Sequence, residues 1–203
     1  MGITAVALDL DQTTLNRQGR LCERNRRAIE YAIQKGIHII VASGRPLSSL
    51  PAEIRNIREI RYAITSNGAA IYDLHTEECL KQYKMTESSI DAILRYTEGL
   101  DVTYEAFIGG KAYAQKVYVD DPVRFGATPR AIPYIQSTRE PIEDIRNFIK
   151  ENQCKIESID IVVKGEEQKL RLWRILEDNI KDVYITSSVT QLLEISYKGL
   201  RNC

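Results

Sequence analysis

Two carboxylates one residue apart, Asp9 and Asp11, lie in the segment Asp9-Leu10-Asp11-Gln12-Thr13-Thr14-Leu15 near the start of the chain. They follow an apolar run, residues 3–8, that predicts a buried strand. Side chains two apart on a strand share a face, so both acids are expected to converge on one point as the strand ends. Such a pair suits a hard cation such as Mg²⁺, which prefers oxygen ligands and keeps several waters. One of the two can also attack phosphorus as a nucleophile. In an open parallel α/β sheet, ligands bind beyond the carboxyl ends of the strands, and both acids fall there.

Two further segments could complete such a site. Ser43-Gly44-Arg45-Pro46 follows the apolar run 37–42, and Ser66-Asn67-Gly68-Ala69 follows the run 62–65. On parallel neighbouring strands, all three loops would share one sheet edge. Backbone N–H groups in loops and at helix starts favour anions. The Ser43 hydroxyl could orient a phosphoryl group or cap a helix. Arg45 could add a cationic fork or be a surface cation. Asn67 could contact a ligand or make the turn before Gly68. Thr13 is expected to steady its loop by a side-chain to backbone bond.

The elements that must carry these loops alternate. After the first strand, residues 23–35 have an apolar stripe of Ala28, Ile29, Ala32 and Ile33, and Gly36 stands where a helix-ending glycine belongs. Ser49 is expected to cap a short helix with Pro51 in its first turn. Strand, helix, strand, helix, strand predicts a right-handed parallel sheet. From about residue 76 the rhythm changes. A strand at 80–85, a helix at 88–98 and a hairpin of 102–107 with 111–117 come first. An irregular stretch at 120–133, a helix at 142–151, a strand at 156–163 and a helix at 166–179 follow. A second hairpin pairs 183–186 with 192–196. Hairpins interleaved with helices predict an α+β layer.

Composition narrows the function classes. Of 203 residues, 43% are apolar, enough for a real core, and 28 basic residues balance 28 acidic ones. That balance gives no reason to expect a nucleic-acid partner. Apolar runs fall far short of a membrane span, and no basic segment followed by an apolar one opens the chain as a signal peptide would. Cys22, Cys79, Cys154 and Cys203 are too scattered for a zinc site or a disulfide framework. A reducing cytoplasm is the expected compartment.

Taken in order, Asp9-x-Asp11-x-Thr13, Ser43-Gly44-Arg45-Pro46 and Ser66-Asn67-Gly68-Ala69 resemble the haloacid dehalogenase (HAD) superfamily, in its Cof-type phosphatase branch. The resemblance implies an α/β fold, with a Rossmann-like parallel-sheet core at 1–75 and 187–203 and an inserted α+β cap at 76–186. The segment from Ile185 to Ile195 would return the chain from cap to core. It implies a Mg²⁺-dependent phosphatase acting on a small phosphomonoester, a sugar phosphate or a phosphorylated cofactor. Asp9 would form an aspartyl phosphate. Asp11 would protonate the leaving alcohol and then activate water. The Asp9 carboxylate and the Asp11 carbonyl would ligate the metal. Leu10, Ser43, Gly44, Arg45 and Asn67 would hold the phosphoryl group, and the cap would close over the site and select the substrate.

Two departures set further expectations. Gln12 stands where the family usually has glycine. Near the end, Asn202 occupies the position of a phosphate-balancing lysine, and the later acidic motif does not follow. The core is therefore expected to be incomplete at its C-terminus. That would leave an apolar strand at a sheet edge, prone to pair with another copy. A binding module that has lost catalysis, and a phosphomutase of the same fold, are the competing expectations.

Overall fold

The computed structural model describes residues 2–199; the Asn202 position lies outside them. The chain forms two compact units, Met1–Gln82 and Tyr83–Cys203.

In the first unit, β1 (Ala5–Leu8), β2 (His38–Ala42) and β3 (Tyr62–Thr65) run parallel in that order. α1 (Glu23–Gln34) connects β1 to β2, and α2 (Ala52–Arg55) lies between β2 and β3. α1 buries Ile29 and ends at Gly36, whose φ of +76° a side chain would resist. Ile39, Val41, Ile54, Ile60 and Ala63 centre the core. β1 is an edge strand, which matches the expected apolar strand at a sheet edge and not the expected buried one. β1 pairs only with β2 among the described residues, so its side chains alternate between exposed and half-buried. Ser49 caps no helix. It ends a short 3₁₀ turn, and Pro51 itself precedes α2.

The boundary at residue 75 moves. β4 (Ala70–Asp73) turns back antiparallel on β3, and β5 (Cys79–Gln82) pairs antiparallel with β4. The strand expected to open the cap thus extends the first sheet, because its backbone partners lie in β4.

The second unit is built on a six-stranded sheet ordered β10-β11-β9-β6-β7-β8. Its strands are β6 (Thr103–Ile108), β7 (Lys111–Gln115), β8 (Arg139–Ile142), β9 (Ser158–Val162), β10 (Val183–Thr186) and β11 (Leu192–Tyr197). α3 (Glu87–Tyr96), α6 (Ile145–Glu151) and α7 (Glu166–Asn179) bury one face with Tyr104, Ile159, Ile161, Leu193 and Ile195. On the other face Ala114, Val162 and Leu192 meet α4 (Lys116–Asp120), α5 (Ile132–Thr138) and the 3₁₀ turns between them. The stretch expected to be irregular is therefore a series of short helices. β8 was not foreseen, because its Pro141 argues against a strand. At the sheet edge, beside β7 alone, proline leaves no central ladder bond unmade.

The assignment of 187–203 to the core is also corrected for the described residues. β11 lies between β10 and β9, with Leu193 opposite Ile161 and Ile195 opposite Ile185. Backbone pairing on both sides makes it a central strand of the second unit.

Candidate active site

The loops after β1, β2 and β3 leave one edge of the parallel sheet, as the order of the strands requires. The first loop, Leu10–Thr14, is a single wide turn closed by the Leu15 N–H donating to the Leu10 carbonyl at 2.7 Å. Leu10 is fully buried and anchors the turn. The Asn25 side-chain amide of α1 donates to the Thr14 carbonyl at 2.8 Å and fixes the turn's far end.

The two acids take different partners. Asp9 Oδ2 accepts the Thr13 hydroxyl at 2.7 Å. Thr13 therefore acts on a carboxylate rather than on the backbone, a role its spacing of four residues from Asp9 could have signalled. Asp11 is held by Arg45, with Nε donating to Oδ2 at 2.9 Å and Nη2 to Oδ1 at 2.7 Å. Both carboxylates remain solvent-exposed.

The second loop is wound tightly around Arg45. The Ser43 N–H donates to the Ile64 carbonyl at 2.9 Å, carrying the β2–β3 ladder one step further. Ser43 Oγ accepts the Arg45 N–H at 3.2 Å, and the side chain is buried. Arg45 Nη1 donates to the Ser49 carbonyl at 3.0 Å. A Cβ placed on Gly19 would lie 3.7 Å from Arg45 Nη2, so the hairpin around Gly19 comes close to the guanidinium.

The third loop locks onto the second. The Ser66 N–H donates to the Arg45 carbonyl at 3.0 Å. Ser66, Asn67 and Gly68 have φ values of +50°, +55° and +95° in succession. Left-handed backbone at two non-glycine residues is strain of the kind that gathers at ligand sites. Gly44 lies close to the Asn67 side chain: a Cβ there would come within 2.6 Å of Asn67 Oδ1 and displace it. Gln12 also has φ +60°. The turn thus keeps a glycine-favouring geometry with glutamine in it.

The structure thus brings Asp11, Ser43, Gly44, Arg45 and Asn67 together through direct contacts. Asp9 sits on the same loop as Asp11 but is tied to Thr13. Among the described residues, no three acidic, histidine or cysteine side chains gather as a metal cage. Asp9 nonetheless offers an exposed carboxylate with one hydrogen-bond donor on it. Mg²⁺ is commonly held by one or two carboxylates plus substrate phosphate and water, and this donor set fits that mode alone.

The order of the sheet gathers three loops at its carboxyl edge, where open α/β sheets bind ligands, and the family comes from comparison with known proteins. The chain belongs to the haloacid dehalogenase-like hydrolase family, whose sequence model matches residues 6–201. It is 32% identical over 71 residues to the 5-amino-6-(5-phospho-D-ribitylamino)uracil phosphatase YcsE of Bacillus subtilis, covering 35% of this chain and 28% of that protein. It is 28% identical over 112 residues to the phosphatase YwpJ of the same organism, covering 53% of this chain and 38% of that one. The chain thus spans well under half the length of these relatives. A haloacid dehalogenase-like hydrolase from B. subtilis superposes with a TM-score of 0.77 at 21% identity, covering 97% of this chain and 74% of that one. A sugar phosphatase of HAD subclass IIB superposes at 0.73 and 18% identity, covering 97% and 70%. At these identities the two structures establish the fold.

Proposed function

We propose that this protein is a Mg²⁺-dependent phosphatase of small phosphomonoesters, sugar phosphates or phosphorylated cofactors, working through a phosphorylated Asp9. The observation that carries the reading is the joining of Asp11, Arg45 and Ser66 across three loops at one sheet edge. Membership of a hydrolase family and likeness to proteins named phosphatases support it. The Asp9 carboxylate attacks phosphorus while Thr13 keeps it oriented. Asp11 hands a proton to the departing alcohol and then takes one from water. Ser43, Gly44 and Asn67 shape the phosphoryl pocket. Asp9 and the Asp11 carbonyl would hold the cation, which when bound would offset phosphate charge.

Hydrolysis of 4-nitrophenyl phosphate and of a panel of sugar phosphates, each with and without Mg²⁺, tests the reading. The expected result is Mg²⁺-dependent turnover that Asp9→Asn lowers by at least ~10³-fold, as loss of a nucleophile does. Turnover unchanged in Asp9→Asn rejects it.

One observation favours a second reading, a binding module without turnover. Gln12 stands in left-handed backbone inside the turn that carries both acids. Calorimetry showing phosphate-ester binding by a protein that hydrolyses none of the panel selects it.

A cytoplasmic setting goes with this reading. Among the described residues Cys22, Cys79 and Cys154 form no disulfide, as in a reducing compartment. Among the described residues no helix is long and apolar enough to cross a membrane. The edge strand β1, with Ile3 73% exposed beside it, is the surface through which two copies would associate. Light scattering showing a monomer at all accessible concentrations rejects that association.

A further inference from the structure

Arg45 is the most heavily engaged side chain of the site. Its guanidinium donates from Nε and Nη2 to the two oxygens of Asp11 and from Nη1 to the Ser49 carbonyl. Its main chain is held as firmly, by Ser43 Oγ on the N–H and by the Ser66 N–H on the carbonyl. The side chain is 13% exposed, against 52% for that of Asp11. An exposed acid is therefore held by a shielded cation, each of whose three nitrogens donates to a protein oxygen.

We infer that Arg45 is a positioning residue for Asp11 and not a ligand of the substrate phosphate. The inference rests on the phosphatase reading above. A fork on two oxygens fixes the carboxyl plane as well as its place, which a lysine point charge cannot do. That plane sets the direction in which Asp11 delivers its proton. In the first half-reaction Asp9 bonds to phosphorus. The bond from phosphorus to the leaving oxygen breaks with its electron pair on that oxygen, which takes the proton from Asp11. In the second half-reaction water bonds to phosphorus and gives a proton to Asp11, and the Asp9–phosphorus bond breaks with its pair returned to the carboxylate. Asp11 is needed in the right orientation twice, and Arg45 supplies it.

Leaving-group dependence separates the two roles. A 4-nitrophenolate leaves without a proton, whereas the alkoxide of glycerol phosphate needs one. Arg45→Lys is expected to lower kcat/KM on glycerol phosphate by ~10²-fold, the lower range for a misplaced general acid. On 4-nitrophenyl phosphate, kcat/KM, which reports only the first half-reaction, is expected to fall by under ~5-fold, with inhibition by inorganic phosphate little changed. Added guanidinium ion should partly restore the glycerol phosphate rate of Arg45→Ala. An equal fall on both substrates, with KM and the inhibition constant for phosphate raised together, overturns the inference and makes Arg45 a phosphate ligand. If Asp9→Asn has already rejected the phosphatase reading, urea unfolding of Arg45→Ala, Asp11→Ala and the double variant still tests the clamp. Non-additive midpoints support it and additive ones overturn it.

Discussion

Two arginine–carboxylate pairs in this molecule have the same chemistry and opposite surroundings. In the first unit Arg45 grips both oxygens of an exposed acid, Asp11. In the second, Arg139 on β8 reaches Glu105 on β6, but both its contacts, 2.9 Å from Nε and 2.7 Å from Nη2, fall on Oε2. Glu105 is fully buried, and its Oε1 has no hydrogen-bond partner. Sheet register sets Asp160 of β9 opposite Glu105 and also opposite Glu194 of β11. Three acids thus line up on adjacent strands beside one arginine. The exposed pair orients an acid that solvent still reaches, and an exposed ion pair contributes at most about 1 kcal/mol to stability. The buried row meets the Arg139 guanidinium inside the sheet, which makes that pair a determinant of stability.

The largest effect should come from breaking the buried pair. Arg139→Ala removes the ion-pair partner of the fully buried Glu105, and removing one partner of a buried pair costs about 3–5 kcal/mol. Urea unfolding should show the second unit lost first. A change below ~1 kcal/mol would mean that the row is hydrated or neutral, and the contrast with Arg45 would disappear.

The pH dependence of that unit comes next. Asp160 is held well above the ordinary carboxylate range, first by burial and then by the neighbouring charges of Glu105 and Glu194, with Arg139 opposing. A carboxyl raised in the folded state contributes stability fully present below its unfolded pKa and lost as pH rises through the folded one. The second unit should therefore weaken on going from mildly acidic to alkaline pH. Asp160→Asn should flatten that slope and be the more stable form at the alkaline end, by an amount on the order of 1 kcal/mol. Melting curves across pH for both proteins check this, and parallel slopes would refute it.

In the first unit, Arg45→Lys should change unfolding stability by no more than about 1 kcal/mol, the scale of an exposed ion pair. Its large effects belong to catalysis alone. A loss of several kcal/mol in thermal melts would show that the two pairs are equivalent after all.

How far these regions were legible in the sequence follows from the range of the forces involved. α1, α7 and the hairpins are local: periodicity, a glycine at +76° and turn glycines specify them. Asp9, Asp11, Ser43, Arg45 and Asn67 stood out because they follow apolar strands in a parallel order. The partner of each was not legible, since Arg45 meets Asp11 across 34 residues and its Nη1 meets a carbonyl. The place of β5 and β11 was misjudged for the same reason. A strand's pattern gives its two faces, while its sheet is decided by edges that only the fold brings together. The row of Glu105, Asp160 and Glu194 was invisible because each acid belongs to a separate strand and only register aligns them.

The smallest effect is expected at Gln12, and it probes the exposed site from the backbone side. A side chain at φ +60° costs roughly 1–2 kcal/mol relative to right-handed backbone. Glycine removes that strain but gives up about 0.5–1 kcal/mol of chain entropy. Gln12→Gly should thus stabilise the first unit by roughly 0.5 kcal/mol, while Gln12→Ala, equally strained, should leave it unchanged. Asp9 and Asp11 both lie within three residues before Gln12, so easing the turn also frees the loop that carries both acids. If Gln12 restricts the phosphate pocket, Gln12→Gly raises kcat/KM on 4-nitrophenyl phosphate and Gln12→Ala raises it less. Equal activity in all three proteins would show that the glutamine side chain points away from the substrate and that strain alone distinguishes this turn.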